Sequence, residues 1–125
     1  MRADMGKILV VEDEEILAEI LSMGLGADGH TVITASDGVA GFDAVRTENP
    51  DLIVTDMSLP KMTGWELIEK LRAEPSTAAL PIIAMTGHTT AEDRSAAFAA
   101  RVSAYQQKPI DMGLLKAKIT ELLGT

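Results

Sequence analysis

The sequence predicts an α/β fold in which a parallel sheet of five strands, in the order 2-1-3-4-5, is doubly wound by five helices. Short apolar runs alternate along the chain with longer segments whose apolar residues recur at helical spacing. The run Leu52-Ile53-Val54 is continuously apolar, which is typical of a strand covered on both faces. Such alternation favours right-handed crossovers, and a chain of 125 residues suits one domain. We expect that domain at residues 7–123, after a short extension at residues 1–6.

Five short segments are predicted as strands, mostly on their apolar runs. They lie at residues 7–11, 31–35, 52–56, 80–85 and 104–107. Polar residues mark the carboxyl ends of four of these strands: Glu12 and Asp13 at the first, Asp56 at the third, Thr86 at the fourth and Lys108 at the fifth.

The segments between the strands are predicted as helices. They lie at residues 14–25, 64–73, 90–100 and 110–123, and one more begins after a cap at Ser36 or Asp37 and stops at Asn49-Pro50. In the first helix we expect five apolar residues to form one stripe: Ile16, Leu17, Ile20, Leu21 and Leu25. Gly26 or Gly29 is expected to end this helix.

Composition and charge narrow the function classes. The net charge of −8 argues against direct binding of DNA or RNA, whose phosphates attract basic surfaces. The absence of cysteine excludes disulfides and thiolate-bound metals. No apolar run approaches the roughly 20 residues of a membrane span, and nothing resembles a signal peptide. We therefore expect a cytoplasmic protein without membrane insertion.

The predicted strand ends bring several charged groups together. In a parallel sheet these ends share one edge, where open α/β folds bind ligands. Glu12, Asp13 and Asp56 would place three carboxylates there, and their mutual repulsion would raise their pKa values. Mg²⁺, which binds carboxylates and water, would relieve that repulsion, and Lys108 adds an ammonium. These residues favour phosphoryl transfer to Asp56 as the nucleophile, with Thr86 donating a hydrogen bond.

The set Glu12-Asp13, Asp56, Thr86 and Lys108-Pro109, in this order and at these spacings, resembles the receiver domain of two-component response regulators, which has a flavodoxin-like fold. The resemblance covers about residues 7–123. It implies a signalling domain rather than an enzyme acting on other molecules. Such a domain takes a phosphoryl group onto Asp56 from a histidine kinase or a histidine phosphotransfer protein, with Mg²⁺ or Mn²⁺ as cofactor.

The resemblance also implies a role for each site residue. Asp13 would bind the metal directly and Glu12 mainly through metal-bound water, beside Asp56. Met57 or Ser58 would add a backbone carbonyl. The Lys108–Pro109 peptide bond would be cis, an isomer that X-Pro bonds adopt at modest cost.

A switch is implied as well. Tyr105 stands where the family carries an aromatic residue that responds to phosphorylation. Thr86 would move towards the phosphoryl group, and Tyr105 would turn into the space that Thr86 leaves. The surface of the fourth helix, fifth strand and fifth helix would then change its preference for a downstream protein. We expect a monomer or a weak dimer.

Three other interpretations compete with this one. A small phosphatase with an aspartyl-phosphate intermediate would need a second Asp two residues after Asp56, where this chain has Ser58. A flavodoxin-like nucleotide binder would need a phosphate loop after the first strand, where residues 12–15 are all acidic. A receiver-fold scaffold that acts without phosphorylation stays open. The sequence also leaves open whether the domain stands alone or belongs to a longer kinase or regulator.

Overall fold

The computed structural model describes residues 6–87, 95–97 and 99–124, and its centre is a parallel five-stranded sheet. The strands are β1 (Lys7–Val11), β2 (Thr31–Ala35), β3 (Leu52–Asp56), β4 (Ile82–Thr86) and β5 (Ala104–Gln107). Their order is β2-β1-β3-β4-β5, and all four neighbouring pairs are parallel. The predicted strand order is therefore confirmed.

Helices cover both faces of this sheet. They are α1 (Glu15–Ala27), α2 (Gly38–Glu48), α3 (Gly64–Ala73) and α5 (Met112–Leu123), and helical residues 95–97 and 99 form the described part of α4. The predicted start of α4, at residues 90–94, lies outside the described residues, as do residues 1–5 of the predicted extension.

Two apolar layers hold the helices on the sheet. One layer lies on the side of α2, α3 and α4 and includes Leu9, Ile53 and Leu67. The other lies on the side of α1 and α5 and includes Val10 and Val54. Because successive side chains of a strand point to opposite faces, the continuous apolar runs of β1 and β3 contribute side chains to both layers. This explains why every residue of β3 is buried.

Side-chain caps set the starts of three helices. Asp37, not Ser36, caps α2, because its carboxylate accepts a hydrogen bond from the Ala40 backbone N–H at 2.8 Å. A capping box between Thr63 and Glu66 starts α3 at Gly64, which is the predicted first residue. Asp111 caps α5, which therefore begins two residues later than expected, at Met112.

Strand β4 corrects the prediction at both ends. It begins at Ile82 rather than Leu80, because the Leu80 N–H is used in a turn to the Thr77 carbonyl. Pro81 has no N–H to give to the sheet, although its carbonyl accepts a hydrogen bond from Ile53. At the other end β4 includes Thr86.

The first helix also differs from the prediction. It extends through Gly26 to Ala27, and Gly29, with φ of 95°, follows it in the left-handed region. The predicted stripe is too wide: Ile16 is 69% exposed and Ile20 is 51% exposed. The core-facing line is narrower and runs at four-residue spacing through Leu17, Leu21 and Leu25.

Among the described residues, no helix has both the length and the apolar character needed to cross a bilayer.

The α1 correction predicts different costs for two adjacent truncations. Leu21→Ala removes a fully buried side chain and should lower the free energy of unfolding by about 2–5 kcal/mol. Ile20→Ala removes an exposed side chain and should cost about 0.5 kcal/mol or less. Urea unfolding followed by circular dichroism measures both. Equal losses would show that Ile20 is part of the core after all.

Candidate functional site

The candidate site lies at the carboxyl edge of the sheet, where backbone hydrogen bonds continue the ladder past the strand ends. The Glu12 N–H donates to the Ala35 carbonyl at 2.9 Å, and the Met57 N–H donates to the Met85 carbonyl at 3.1 Å. The Lys108 N–H donates to the Thr86 carbonyl at 2.7 Å. Backbone hydrogen bonds alone therefore fix the positions of the residues that follow β1, β3 and β5.

Lys108 joins two acids that are 44 positions apart in the chain. Its Nζ lies 2.9 Å from Glu12 Oε1 and 3.1 Å from Asp56 Oδ2. Glu12 and Asp56 are both buried, and the Lys108 side chain is 23% exposed. The second oxygen of each acid accepts a backbone hydrogen bond, from Glu14 to Glu12 at 2.9 Å and from Ser58 to Asp56 at 3.3 Å.

Burial and charge pull the pKa values of this centre in opposite directions. Burial is the main cause that raises the pKa of Glu12, and the nearby Asp56 charge adds to it, while hydrogen bonds from Glu14 and Lys108 limit the rise. Burial alone would lower the pKa of Lys108, but its hydrogen bonds and its attraction to Glu12 and Asp56 outweigh burial and raise it. The ammonium is therefore held in its charged form by the acids around it.

The three acids are suited to a hard divalent cation. Glu12, Asp13 and Asp56 can each present one carboxylate oxygen so that all three oxygens lie within 4.8 Å of one another. Asp13 is exposed, so a hydrated ion can reach the group from solvent. An all-oxygen donor set that leaves room for water fits Mg²⁺ or Mn²⁺. The structure thus places the acids predicted as metal ligands close enough to share one ion.

Thr86 and Tyr105 lie on neighbouring strands. Thr86 is buried at the end of β4, and Tyr105 pairs with Ala84 in the register between β4 and β5. Paired residues of neighbouring strands point to the same face, so Tyr105 lies on the face of Ala84. Thr86 is two residues after Ala84 and therefore lies on that face too. That side is the one covered by α3 and α4, where Tyr105 is half-buried. The arrangement brings the two predicted switch residues onto one face.

The Lys108–Pro109 peptide bond is cis, as the resemblance implied.

Close packing shapes the loop that follows Asp56. A Cβ at Gly64 would overlap the Asp56 carbonyl oxygen and would lie 2.7 Å from Met57 Cα. The Gly64 N–H donates to the Met57 carbonyl at 3.2 Å, which closes the loop on the end of β3.

Sequence reasoning missed a second close approach to this loop. A Cβ at Gly38, the first residue of α2, would overlap the Met62 carbonyl oxygen. The only sequence signal was Gly38 directly after the capping Asp37, and that pair is also common in ordinary turns. Lys61 was missed too, although its Nζ lies 3.6 Å from Asp37 Oδ2.

Comparison with known proteins decides the family. The family model described as the response regulator receiver domain matches residues 8–120. The chain belongs to this family. It is therefore a receiver domain of two-component signalling.

Receiver-domain relatives match along nearly the whole chain. A chemotaxis protein CheY homolog of Campylobacter jejuni is 35% identical over 121 residues, which are 95% of this chain and 93% of that protein. The regulatory protein PhoP of Bacillus subtilis, named for alkaline phosphatase synthesis, is 36% identical over 117 residues. The match covers 94% of this chain and 48% of PhoP. The chain spans about half the length of the first curated relatives it matches.

Solved structures agree with the fold. The CheY-like response regulator receiver domain protein from Methanospirillum hungatei superposes with a TM-score of 0.88 at 28% identity. The superposition covers 95% of this receiver domain and 94% of that chain.

The site predicts a pH-dependent cost of removing the ammonium. Lys108→Met leaves Glu12 and Asp56 buried beside each other and should lower the free energy of unfolding by about 1–3 kcal/mol near pH 8. Without the ammonium the pKa of Glu12 rises further, so protonation restores part of the stability and the loss should shrink near pH 5.

Urea unfolding at both pH values measures the effect. The control is Lys116→Met, whose ion pair with Asp28 is at the surface and about 40% exposed, and it should cost about 0.5 kcal/mol or less at either pH. A loss in Lys108→Met that is as large near pH 5 as near pH 8 would contradict the electrostatic account.

Proposed function

We propose that this receiver domain takes a phosphoryl group onto Asp56 from a histidine kinase or a histidine phosphotransfer protein, in a reaction that depends on Mg²⁺ or Mn²⁺. The observation that carries the proposal is the position of the Asp56 carboxylate. One of its oxygens faces the Lys108 ammonium and the other faces the Ser58 N–H, inside a group of three acids. A carboxylate oriented in this way is suited to act as a nucleophile towards phosphorus.

In the proposed reaction an Asp56 carboxylate oxygen attacks the phosphorus as the bond from phosphorus to the donor histidine nitrogen breaks. The product is an acyl phosphate on Asp56 and a free imidazole on the donor. A divalent ion held by Asp13 and Asp56, with Glu12 acting mainly through metal-bound water and a Met57 or Ser58 carbonyl as a further ligand, would neutralise charge on the phosphoryl oxygens.

The remaining residues have separate roles in the proposal. Lys108, already 3.1 Å from Asp56, offers its charge to a phosphoryl oxygen. The Thr86 hydroxyl donates a hydrogen bond to another such oxygen. The domain promotes only its own phosphorylation and dephosphorylation, and it acts on no other substrate. Residues 7–123 form the unit that does this.

A switch then follows phosphorylation. The added charge of about −2 favours a state in which Thr86 has moved towards the phosphoryl group and Tyr105 has turned inward behind it. The shared sheet face of the two residues supports this coupling. The affected surface consists of α4, β5 and α5, and we propose that a downstream protein binds there. In this proposal the domain acts in the cytoplasm as a monomer or weak dimer. It does not bind nucleic acid directly.

The direct test is Mg²⁺-dependent phosphorylation by acetyl phosphate or phosphoramidate, followed by intact-mass measurement. The native chain should gain one phosphoryl group that chelation of Mg²⁺ prevents. Asp56→Asn should gain none, because an amide is not a nucleophile here. Asp43→Asn, which removes an exposed carboxylate of α2, is the matched control and should be modified like the native chain.

Modification that survives in Asp56→Asn would place the phosphoryl group elsewhere and contradict the assignment. No adduct on the native chain, together with no response of Trp65 fluorescence to beryllofluoride and Mg²⁺, would favour a receiver-fold scaffold that acts without phosphorylation.

A further inference from the structure

The loop between β3 and α3 is packed against a part of the fold that belongs to neither element. Gly38 opens α2 and is buried, and any Cβ there would overlap the Met62 carbonyl oxygen and lie 2.7 Å from the carbonyl carbon. Real side chains do not tolerate such separations, so only glycine lets the two backbones approach this closely. The backbone at the start of α2 therefore packs directly against the backbone of the loop.

A second link joins the same two segments. Lys61 Nζ lies 3.6 Å from Asp37 Oδ2, while the other Asp37 oxygen caps α2 by accepting from the Ala40 N–H. The Lys61 side chain is 70% exposed, so this ion pair is the weaker of the two links. Lys61 has φ of 66°, a left-handed conformation that non-glycine residues seldom adopt. Its backbone is therefore held in an uncommon conformation at the point where its side chain reaches α2.

The opposite end of this loop carries groups of the site. The Ser58 N–H donates to Asp56 Oδ1 at 3.3 Å, and the proposed metal-binding carbonyl belongs to Met57 or Ser58. Further along, the Met62 N–H donates to the Pro60 carbonyl at 2.7 Å, and Gly64 closes the loop onto Met57. Residues 57–64 thus form a short loop whose ends are joined by the bond from Gly64 to Met57, and Ser58 and Met62 both lie within it.

We propose that Asp37, Gly38 and Lys61 act as a latch that positions the β3–α3 loop, and with it the Ser58 N–H and the Met57–Ser58 carbonyls, against Asp56. These residues touch neither the phosphoryl group nor the metal, so they are positioning residues of the phosphoacceptor site. The proposal rests on the function proposed above for that site. It assigns a role in metal binding to the start of α2, which the positions of the site acids do not reveal.

Gly38→Ala tests the backbone contact, and Gly26→Ala is its matched control. Both substitute a helical glycine, but a Cβ at Gly26 meets nothing within 4 Å. In the metal-free protein, Gly38→Ala should speed amide hydrogen exchange at Ser58, Met62 and Gly64 by about tenfold. It should also weaken Mg²⁺ binding, followed by Trp65 fluorescence, by about tenfold, which is the scale seen when support of a metal ligand is lost. Gly26→Ala should change neither.

Lys61→Gln tests the charged link and separates positioning from simple electrostatics. Removing a positive charge from the protein would by itself favour Mg²⁺ binding, because it reduces repulsion of the cation. Loss of the latch should instead weaken Mg²⁺ binding by about twofold, the modest effect of an exposed ion pair, and speed exchange at the same amides. Lys116→Gln removes the ammonium of the Asp28 ion pair, and it should not weaken Mg²⁺ binding.

The outcomes divide cleanly. Weaker Mg²⁺ binding and faster loop exchange in both latch variants, with folded circular dichroism spectra and unchanged controls, support the proposal. A folded latch variant that leaves loop exchange and Mg²⁺ affinity as in the native chain overturns it. If Gly38→Ala does not fold, Lys61→Gln alone decides. If the native chain binds no Mg²⁺, the proposed function fails, whereas amide exchange in the metal-free protein still decides the latch.

Discussion

Two buried carboxylates held by one ammonium, with a third acid beside them, form the constraint on which the rest of this structure depends. A parallel sheet brings the ends of β1, β3 and β5 to one edge, and the chain places Glu12, Asp56 and Lys108 there. Burial makes the negative charges expensive, as the raised pKa of Glu12 shows, and one lysine does not balance three acids. The centre therefore retains an excess of negative charge that a divalent cation can satisfy.

The surrounding fold holds this centre in place from both faces of the sheet. The two apolar layers anchor β1 and β3, so the strand ends have little freedom to separate and relieve their repulsion. The loop after Asp56 is confined in turn, by Gly64 at the end of β3 and by Gly38 at the start of α2. Membership of the receiver-domain family gives the centre its signalling context, and the geometry indicates which atoms would carry the chemistry.

The sequence predicted the sheet and its edge well because both depend on short-range patterns. Continuous apolar runs identify strands buried on both faces, and the parallel order then brings Glu12, Asp56 and Lys108 together without further information. The predicted boundaries of β4 and α5 were less accurate. They depend on which neighbouring backbone or capping group takes a hydrogen bond, as the Leu80 turn and the Asp111 cap show.

Features that arise from three-dimensional packing were not predictable in this way. Ile16 and Ile20 fit a helical apolar stripe, yet the exact rotation of α1 on the sheet leaves both exposed. The contact between Gly38 and the Met62 carbonyl joins residues distant in sequence, and no periodicity encodes it.

The most direct test of the central claim is thermal unfolding of the native chain and of Asp13→Asn, each with and without Mg²⁺. If the acids are gathered to hold a cation, removing the exposed charge of Asp13 should relieve repulsion. Without metal, the free energy of unfolding of the variant should then equal that of the native chain or exceed it by up to about 1 kcal/mol. Mg²⁺ should raise the Tm of the native chain and have little effect on the variant. A less stable metal-free variant, or one that Mg²⁺ stabilises as strongly as the native chain, would contradict the account.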